Sequence, residues 1–500
     1  MTEGVRLAEL LAALSKATDL GMGHPLDTAL STCVVATRLG LALGAGDDEL
    51  RDIYHLALLR YIGCNAETHA MSEAFGDELA LRGEFASIDP GDFAQVGALS
   101  RRYLRQEGVD VPAMMHESFS GHCEVGQRLA TRMGLPDSLI VCLGQLYERW
   151  DGKGQPRGLR GDDVARPVLV VTLAENAVVW SHLGGADAAV QTVRDRAGAA
   201  YDKTLADCFC DSAETILAGI DEEPTWQAVL DLEPGAQPRL DGAQLDACCE
   251  AIADFADIKS PYLLGHSSGV AGLATAAGAR AGLPAADVAD LRRAALVHDL
   301  GRVGVSAGIW GKPGPLSERE LEKVRLHPYY SERVLARPDG LETLGRLASQ
   351  HHERMNGSGY HRGTGGQSLA PAARILAAAD AYHAMTEPRP HRQALTAGAA
   401  EEELRREARA GRLDGDAVHA VLAAAGHHVQ AVKRERPAGL SRREVEVLRL
   451  LARGLPNREI AAQLYVAPDT VKRHVQHIYD KTGLATRAGA TLFAMENALL

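Results

Sequence analysis

The stretch ALVHDLG (Ala295–Gly301) opens the part of the chain that decides the fold. An apolar helical run ends there in an adjacent histidine and aspartate, and QHHERMNGSGYHRG (Gln350–Gly363) contains an adjacent pair of histidines. Neighbouring side chains on a helix point about 100° apart, so one such pair can serve two metal ions. With one histidine upstream, the segment supplies seven candidate metal ligands: His266, His298, Asp299, His327, His351, His352 and Asp380.

The donor atoms of this set are imidazole nitrogens and carboxylate oxygens. Such donors suit iron, manganese or zinc, and mixed histidine and aspartate donors suit two metal ions that share a bridging carboxylate. A single histidine is more often a surface or hydrogen-bonded residue than a ligand, but seven candidates in one segment favour metal binding. We therefore expect two divalent metal ions, iron or manganese first, with zinc as the alternative.

The segment contains, in order, the motifs HDLG, a lone histidine, HHE, GSGY and a final aspartate. Because of this order of motifs, it resembles the HD-GYP phosphohydrolases. This metal-dependent branch of the HD superfamily usually hydrolyses cyclic di-GMP, and the resemblance covers residues 245 to 425. It implies that Asp299 bridges the metal ions and that the histidines and Asp380 complete their coordination. It also implies catalytic roles for Asp299 and Arg302, in a reaction that needs no protein nucleophile.

Four positions depart from the family pattern. Arg302 stands where the family has a lysine that contacts phosphate, and His361 replaces the proline of the GYP motif. Asn356 replaces an aspartate, and Tyr262 replaces a glutamate that holds a third metal in some members. The last change favours two metals over three. The others leave two hypotheses open, an active cyclic dinucleotide phosphodiesterase or a non-catalytic receptor for a nucleotide or a metal.

The N-terminal half contains a diverged repeat of the same pattern. Residues 122–175 align without a gap to residues 327–380 at an offset of 205, and residues 57–63 align to 295–301 at an offset of 238. The first copy therefore has 33 extra residues between these blocks. Most candidate ligands are lost, because Arg60 and Tyr61 take the places of His298 and Asp299. We interpret this half as a degenerate sensory or dimer-forming copy; the alternative is a shared helical scaffold only.

The C-terminal sequence from LSRREVEV onward resembles the LuxR-type helix-turn-helix domain. Its third helix, TVKRHVQHIYDK, places apolar residues on one face and basic or polar residues on the other, as a recognition helix does. The alternative is a solvated charged face. Residues 486–499 are expected to pair two protomers. The predicted DNA contacts are Thr470, Lys472, Arg473, His474, Gln476 and His477.

Charge and composition agree with this division. The net charge of the chain is −13, yet residues 431–500 carry twelve Lys/Arg against seven Asp/Glu. A basic end on an acidic chain favours local nucleic-acid binding. Eight scattered cysteines without zinc-finger spacing indicate reduced thiols, and neither a signal peptide nor an uninterrupted apolar span is present, so a cytoplasmic protein is expected.

The sequence thus predicts an all-α protein with tandem HD-type domains and a four-helix LuxR-type domain. We expect a transcriptional regulator whose partners are double-stranded DNA, a cyclic dinucleotide or another phosphorylated nucleotide, and a second copy of the chain, with no membrane. The predicted divisions are a degenerate copy at 1–220, a linker at 221–241, a phosphohydrolase domain at 242–427, a linker at 428–437 and a DNA-binding domain at 438–500.

Overall fold

The computed structural model describes residues 4–220, 225–427, 437–452, 455–484, 490, 493–494 and 499. Within these residues the chain forms helices and a few isolated β-bridges but no strand. The predicted all-α class is confirmed.

In the described residues up to 231, the chain forms eleven α-helices. The ninth is interrupted at Gly185, which has a φ of 80°. The helices are α1 (Leu7–Met22), α2 (Thr28–Ala42), α3 (Asp47–Leu59), α4 (Thr68–Phe75), α5 (Glu78–Phe85), α6 (Phe93–Tyr103), α7 (Val111–Arg132), α8 (Asp137–Leu143), α9 (Arg166–Arg196), α10 (Lys203–Leu217) and α11 (Thr225–Asp231).

The described residues from 242 to 427 form ten α-helices, and a 3₁₀ turn at Leu300–Gly304 follows the third of them. These helices are α12 (Gly242–Asp257), α13 (His266–Arg280), α14 (Ala285–Val297), α15 (Ala307–Trp310), α16 (Glu318–Arg325), α17 (His327–Leu335), α18 (Glu342–Ala348), α19 (Pro371–Thr386), α20 (Ala397–Arg409) and α21 (Gly415–Ala424).

Helix boundaries repeat at the two offsets seen in the sequence. Helices α2 and α3 begin and end 238 residues before α13 and α14, and α8 begins and ends 205 residues before α18. Even the N-cap conformation recurs, because Asp27 and Gly265 precede α2 and α13 with φ angles of 74° and 77°. The two halves therefore share a helical framework in the described residues, and the longer connection of the first copy contains α4, α5 and α6.

The two copies pack into one continuous apolar core that includes residues from Val5 to Leu422. Part of the predicted linker also belongs to it, since α11 buries Trp226 and Val229 against α1 and α2. Helix α9 is long and apolar enough to cross a membrane by length and composition alone. Half of its most apolar window is buried inside the protein, and it packs on α2, α3 and α10, as a core helix does.

Polar contacts from the first copy hold the chain segment that follows Arg302. The buried Glu78 carboxylate of α5 accepts a hydrogen bond from the Ser306 hydroxyl at 2.6 Å and one from the Ala307 amide at 2.8 Å. Buried Lys259 donates to the Val303 carbonyl at 2.7 Å. Helix α5 of the first copy is thus hydrogen-bonded to the loop that follows Arg302 in the second copy, beside the candidate site.

The C-terminal part forms α22 (Arg442–Ala452), α23 (Asn457–Gln463) and α24 (Pro468–Thr482) around its own small apolar core. Val471 and Ile478 are buried on one face of α24, and Gly483 ends the helix with a φ of 71°. Most of the predicted dimer helix, residues 486–499, lies outside the described residues.

Three local predictions from the sequence differ from the structure: Asn457 as the cap of the second helix of the C-terminal domain, Leu321 on a core face, and His327 near the end of the helix that Ser317 opens. The N-cap of α23 is Pro456 rather than Asn457, because Asn457 is already the first residue of the helix. Leu321 was expected on a core face but is 37% exposed. His327 begins α17 instead of ending the preceding helix, because the chain turns at Leu326 between α16 and α17.

Candidate metal centre

Five chain segments bring the seven predicted ligands to one place. His266 is the first residue of α13, His298 and Asp299 follow α14, and His327 begins α17. The two adjacent histidines follow α18, and Asp380 lies within α19. Their donor atoms form overlapping groups of three, with the atoms of each group within 4.8 Å of one another. These groups are His266, His298 and Asp380; His298, Asp299 and His351; and His327, His351 and His352.

Asp299 lies between two sets of histidines. Its Oδ2 is 3.0 Å from His298 Nε2 and 3.6 Å from His266 Nε2, whereas its Oδ1 is 3.4 Å from His327 Nε2 and 3.5 Å from His351 Nε2. Each carboxylate oxygen therefore faces its own imidazole pair. This geometry suits a carboxylate shared by two cations.

Asp380 approaches the same centre from α19. Its Oδ1 is 3.3 Å from His266 Nε2 and 3.8 Å from His298 Nε2, and its Oδ2 is 3.9 Å from His352 Nδ1. It can complete the coordination of a cation held by His266 and His298.

Hydrogen bonds fix the tautomers of three of these histidines. The Nδ1 atoms of His298, His327 and His351 lie 2.6 to 2.7 Å from the backbone carbonyl three residues earlier. A carbonyl can only accept, so Nδ1 carries the proton and Nε2 keeps its lone pair. His327 Nε2 and His351 Nε2 are only 3.0 Å apart. Two lone pairs at that distance repel each other unless a cation lies between them.

Burial keeps the imidazoles of His327, His351 and His352 neutral. It lowers the pKa of His351 to about 4, lowers that of His327, and lowers that of His352 well below its usual value. For Asp299, burial alone would raise the pKa, but Arg302 and His298 hold it well below the usual range. Neutral imidazoles beside an ionised carboxylate are the forms that bind metal ions.

Several buried polar atoms at this centre have no hydrogen-bond partner among the described residues. They are the Nε2 atoms of His266 and His298, both carboxylate oxygens of Asp299, and Oδ1 of Asp380. Unpaired buried polar atoms are costly, and bound cations satisfy all of them at once. The donor set and its protonation therefore fit a metal centre.

Sequence inspection missed the residues that support His266. Its Nδ1 lies 2.8 Å from Glu387 Oε2, and Arg389 pairs with the same carboxylate oxygen at 2.9 Å. His383 Nδ1 lies 3.2 Å from His266 Nδ1, so the two histidines and Glu387 form a further group of potential metal donors. Their spacing after Asp380, three and seven residues along the chain, was the available signal. Since Nδ1 already faces Glu387, this carboxylate orients the imidazole and directs its Nε2 to the centre.

Electrostatics at His266 favour positive charge. Burial opposes protonation, but the nearby carboxylates of Asp380 and Glu387 raise the pKa of His266 to about 9. The carboxylates that stabilise a proton there would equally stabilise a metal ion at Nε2.

The Arg302 side chain points toward the Asp299 carboxylate rather than into open space. Its Nε lies 2.9 Å from Asp299 Oδ1, and its guanidinium lies 4.9 Å from the ring centroid of Trp310. The side chain is buried. The predicted phosphate-binding charge is thus beside the centre, but it is paired with the proposed bridging ligand.

The altered GYP loop closes one side of the centre. Tyr360 stacks on His352 with ring centroids 4.7 Å apart, so it packs against a candidate ligand. His361 instead turns to Glu332, with its Nε2 3.2 Å from Oε2. Asn356 accepts a hydrogen bond from the Ser358 hydroxyl of its own loop. The replacements therefore affect the rim, not the ligand set.

In the first copy, an ion pair and a hydrogen bond occupy the equivalent positions. Arg60 Nε lies 2.7 Å from Glu175 Oε2, where the second copy has His298 and Asp380. His122 Nδ1 lies 2.8 Å from the Tyr147 hydroxyl, where the second copy has His327 and His352. The side chain at the position of His351 is Leu146.

The predicted DNA-contacting residues lie along α24. Lys472, Arg473, Gln476 and His477 are exposed, while Thr470 and His474 are partly buried. Gln476 donates a hydrogen bond to Asp480 at 2.9 Å. Within the part of the chain that the structure describes, Lys472 and Arg473 form no ion pair. Their charges are therefore available to phosphates.

Comparisons with known proteins define two domains. Residues 250–417 match the family model "HD domain", and residues 438–494 match "Bacterial regulatory proteins, luxR family". Both resemblances predicted from the sequence are confirmed. The chain thus joins a segment similar to HD domains to a segment similar to luxR-family regulatory proteins.

Individual known proteins are similar to each of the two matched segments. The 3'3'-cGAMP-specific phosphodiesterase 3 of Vibrio cholerae serotype O1 is 28% identical over 405 residues, 78% of this chain and 88% of that protein. A crystal structure of a cyclic GMP-AMP specific phosphodiesterase of V. cholerae (V-cGAP3) matches with a TM-score of 0.60 at 26% identity, and covers 85% of this chain and 98% of that one. The probable transcriptional regulatory protein NarL of Mycobacterium tuberculosis is 54% identical over 61 residues, 12% of this chain and 28% of that protein.

Proposed function

We propose that this protein is a transcriptional regulator that binds DNA through its luxR-type domain and hydrolyses a cyclic dinucleotide at its HD domain. The observation that carries the enzymatic part is the position of Asp299, whose two oxygens face separate imidazole pairs. A binuclear centre of this kind serves phosphodiester hydrolysis.

The roles of the side chains follow from the geometry. The Nε2 atoms of the histidines, with Asp380, would hold two divalent metal ions on either side of Asp299. When bound, these ions supply Lewis acidity toward a water molecule and toward a phosphate oxygen. Glu387 keeps the proton of His266 on Nδ1, and Arg302 brings a positive charge to the edge of the centre where a non-bridging phosphate oxygen can accept its hydrogen bonds.

Relatives support the substrate class. Two Vibrio cholerae phosphodiesterases that match the chain are named for 3'3'-cGAMP, and others that match over shorter segments, two of them from the same organism, are named for cyclic di-GMP. Both molecules are cyclic dinucleotides. We therefore assign this class without choosing between guanine and adenine bases.

One observation favours a second function, that of a non-catalytic receptor. Arg302 Nε already approaches Asp299 Oδ1 at 2.9 Å, which places a cation where a bridging carboxylate would meet a metal. An arginine fork is also less mobile than the lysine of the family pattern. Under this second hypothesis the centre binds the nucleotide and controls DNA binding without cleaving it.

The regulatory part rests on α24. Its exposed Lys472 and Arg473 fit the phosphate and base contacts of a recognition helix in the major groove. One small helix-turn-helix reads a half-site, so we expect DNA binding by a homodimer.

Elemental analysis and a hydrolysis assay on the full-length chain test the enzymatic proposal. Wild type should contain about two metal ions per chain and should convert 3'3'-cGAMP or cyclic di-GMP to linear or mononucleotide products detected by chromatography. Asp299→Ala should lose both properties, whereas Asp290→Ala, which removes an exposed carboxylate from α14, should keep them. Metal-loaded wild type that neither binds nor cleaves either nucleotide would contradict both functions.

A further inference from the structure

The first copy encloses a cavity of about 480 Å³. Helices α4, α5 and α6 form one wall of this cavity, the roof. These helices have a small apolar cluster of their own. Phe75, Leu81 and Phe85 line it from the roof, and Met114 and Phe119 line it from α7. Helices α4–α6 thus cover an apolar cavity at the place where the second copy has its candidate metal centre.

The floor of this cavity is the altered centre itself. Arg60, Tyr61, His122, Tyr147 and Glu175 all line it. Protein interiors leave few voids larger than a water molecule, and small-molecule sites typically measure about 300 to 1,000 Å³. The volume and the apolar lining of this cavity are therefore those of a small-molecule binding site.

Two polar groups in the cavity point to a ligand. His24 lines it and is 8% exposed, and neither of its ring nitrogens has a hydrogen-bond partner among the described residues. The Thr172 hydroxyl is likewise buried, unpartnered in the described chain and part of the lining. Burial lowers the pKa of His24, so the ring is neutral near pH 7 and offers one donor and one acceptor. A hydroxyl or amide group on a ligand matches these atoms.

The charged groups of the lining already have partners. Arg60 pairs with Glu175, Arg149 pairs with Asp89, and Arg82 donates to the backbone carbonyl of Cys64 at 2.7 Å. Within the described residues these charged side chains are thus already engaged by protein groups, Arg82 by a neutral carbonyl and not by a carboxylate. Lys153 and Arg101 also line the cavity, but at its exposed rim, where water screens their charge.

We propose that this cavity binds a neutral, amphipathic small molecule, with its apolar body under α4–α6 and a hydroxyl or amide head group on His24 and Thr172. This site is separate from the metal centre and does not depend on catalysis. A cyclic dinucleotide is a poor candidate occupant, because its two phosphates would meet charged side chains that already have protein partners.

Three molecules of equal chain length test the head-group assignment on the full-length protein: 1-decanol, decanoate and decylammonium. Each competes with the neutral fluorescent dye Nile red for the cavity. The alcohol should displace the dye at concentrations about tenfold lower than either charged analogue, because the unpartnered polar atoms of the cavity, on His24 and Thr172, are neutral. Equal displacement by all three, or no saturable binding of the dye, would overturn the proposal.

Variants locate the site. His24→Phe keeps an aromatic ring against Tyr61 but removes both polar atoms, and should raise the half-displacing concentration of 1-decanol about threefold to tenfold. His55→Phe is the matched control, because His55 is a buried histidine of the same copy, packs against a tyrosine and is not in the lining. Thr172→Val gives an independent second variant of nearly the same shape. Circular dichroism confirms folding of each, and equal effects of His24→Phe and His55→Phe would contradict the assignment.

Discussion

Arg60 donates from its Nε to Glu175 Oε2 at 2.7 Å, at the positions that His298 and Asp380 hold in the second copy. Both side chains are largely buried. A guanidinium in place of an imidazole puts a fixed positive charge where the second copy has candidate metal donors. The ion pair thus stabilises the altered centre of the first copy without a metal and disfavours a cation there.

Glu175→Ala should therefore destabilise the protein without changing its metal content. Removal of one partner leaves a buried charge uncompensated, which costs about 3–5 kcal/mol in the free energy of unfolding. Chemical denaturation measures that loss, and the double variant Arg60→Met/Glu175→Leu should recover most of it. A loss of metal in Glu175→Ala, at equal folded fraction, would show that the first copy takes part in metal binding.

Arg302→Lys separates the two proposed functions. The change removes the guanidinium contacts with Asp299 and Trp310 but keeps a positive charge. If the centre is catalytic, hydrolysis should be retained or raised, because the lysine can turn toward phosphate. If the centre is a receptor, wild type should bind the nucleotide in calorimetry without cleaving it, and the variant should gain at most slow cleavage. Arg333→Lys, on the exposed surface of α17, should leave both properties unchanged.

His122 should make the protein sensitive to acid. Burial lowers its pKa to about 3, below the value of about 6.5 expected for an unfolded chain. Between these values the unfolded state binds the extra proton, so stability is present above pH 6.5 and falls as the pH drops toward 3. The slope approaches about 1.4 kcal/mol per pH unit for one proton. His122→Asn should flatten the unfolding free energy against pH in this window; an unchanged slope would remove His122 from the linkage.

Lys472→Ala should weaken DNA binding and its dependence on salt. A protein that neutralises one phosphate fewer has a slope of log K against log salt that is shallower by about one. Fluorescence anisotropy at several salt concentrations, with an operator fragment selected from random duplexes, gives that slope. Arg409→Ala removes an equal charge from α20, outside the DNA-binding domain, and should have no effect. An unaltered slope and affinity in Lys472→Ala would exclude that residue from the interface.

Much of this protein could be predicted because its signals are local. The apolar spacing of helices indicated the all-α class, and constant offsets of 205 and 238 indicated the repeat that helix boundaries such as those of α8 and α18 now display. The seven candidate ligands stood out because adjacent polar pairs at helix ends are rare in apolar runs, and they do converge in space. Their roles in metal binding remain a prediction.

Other features depend on contacts between distant segments, which no sequence window contains. Glu387 supports His266, and Glu78 holds Ser306. Both pairs join segments more than a hundred residues apart, so they exist only once the helices have packed.

By itself, then, the sequence determined the helical class, the two recognisable domains and the set of candidate ligands, because periodicity, caps and motif order are properties of neighbouring residues. Only the tertiary structure decided what occupies the altered centre of the first copy. The segment that contains the 33 extra residues folds into α4–α6 above Arg60 and Glu175 and leaves a cavity that faces His24. A cavity is defined by walls from many segments, and its volume depends on how they pack rather than on any one of them.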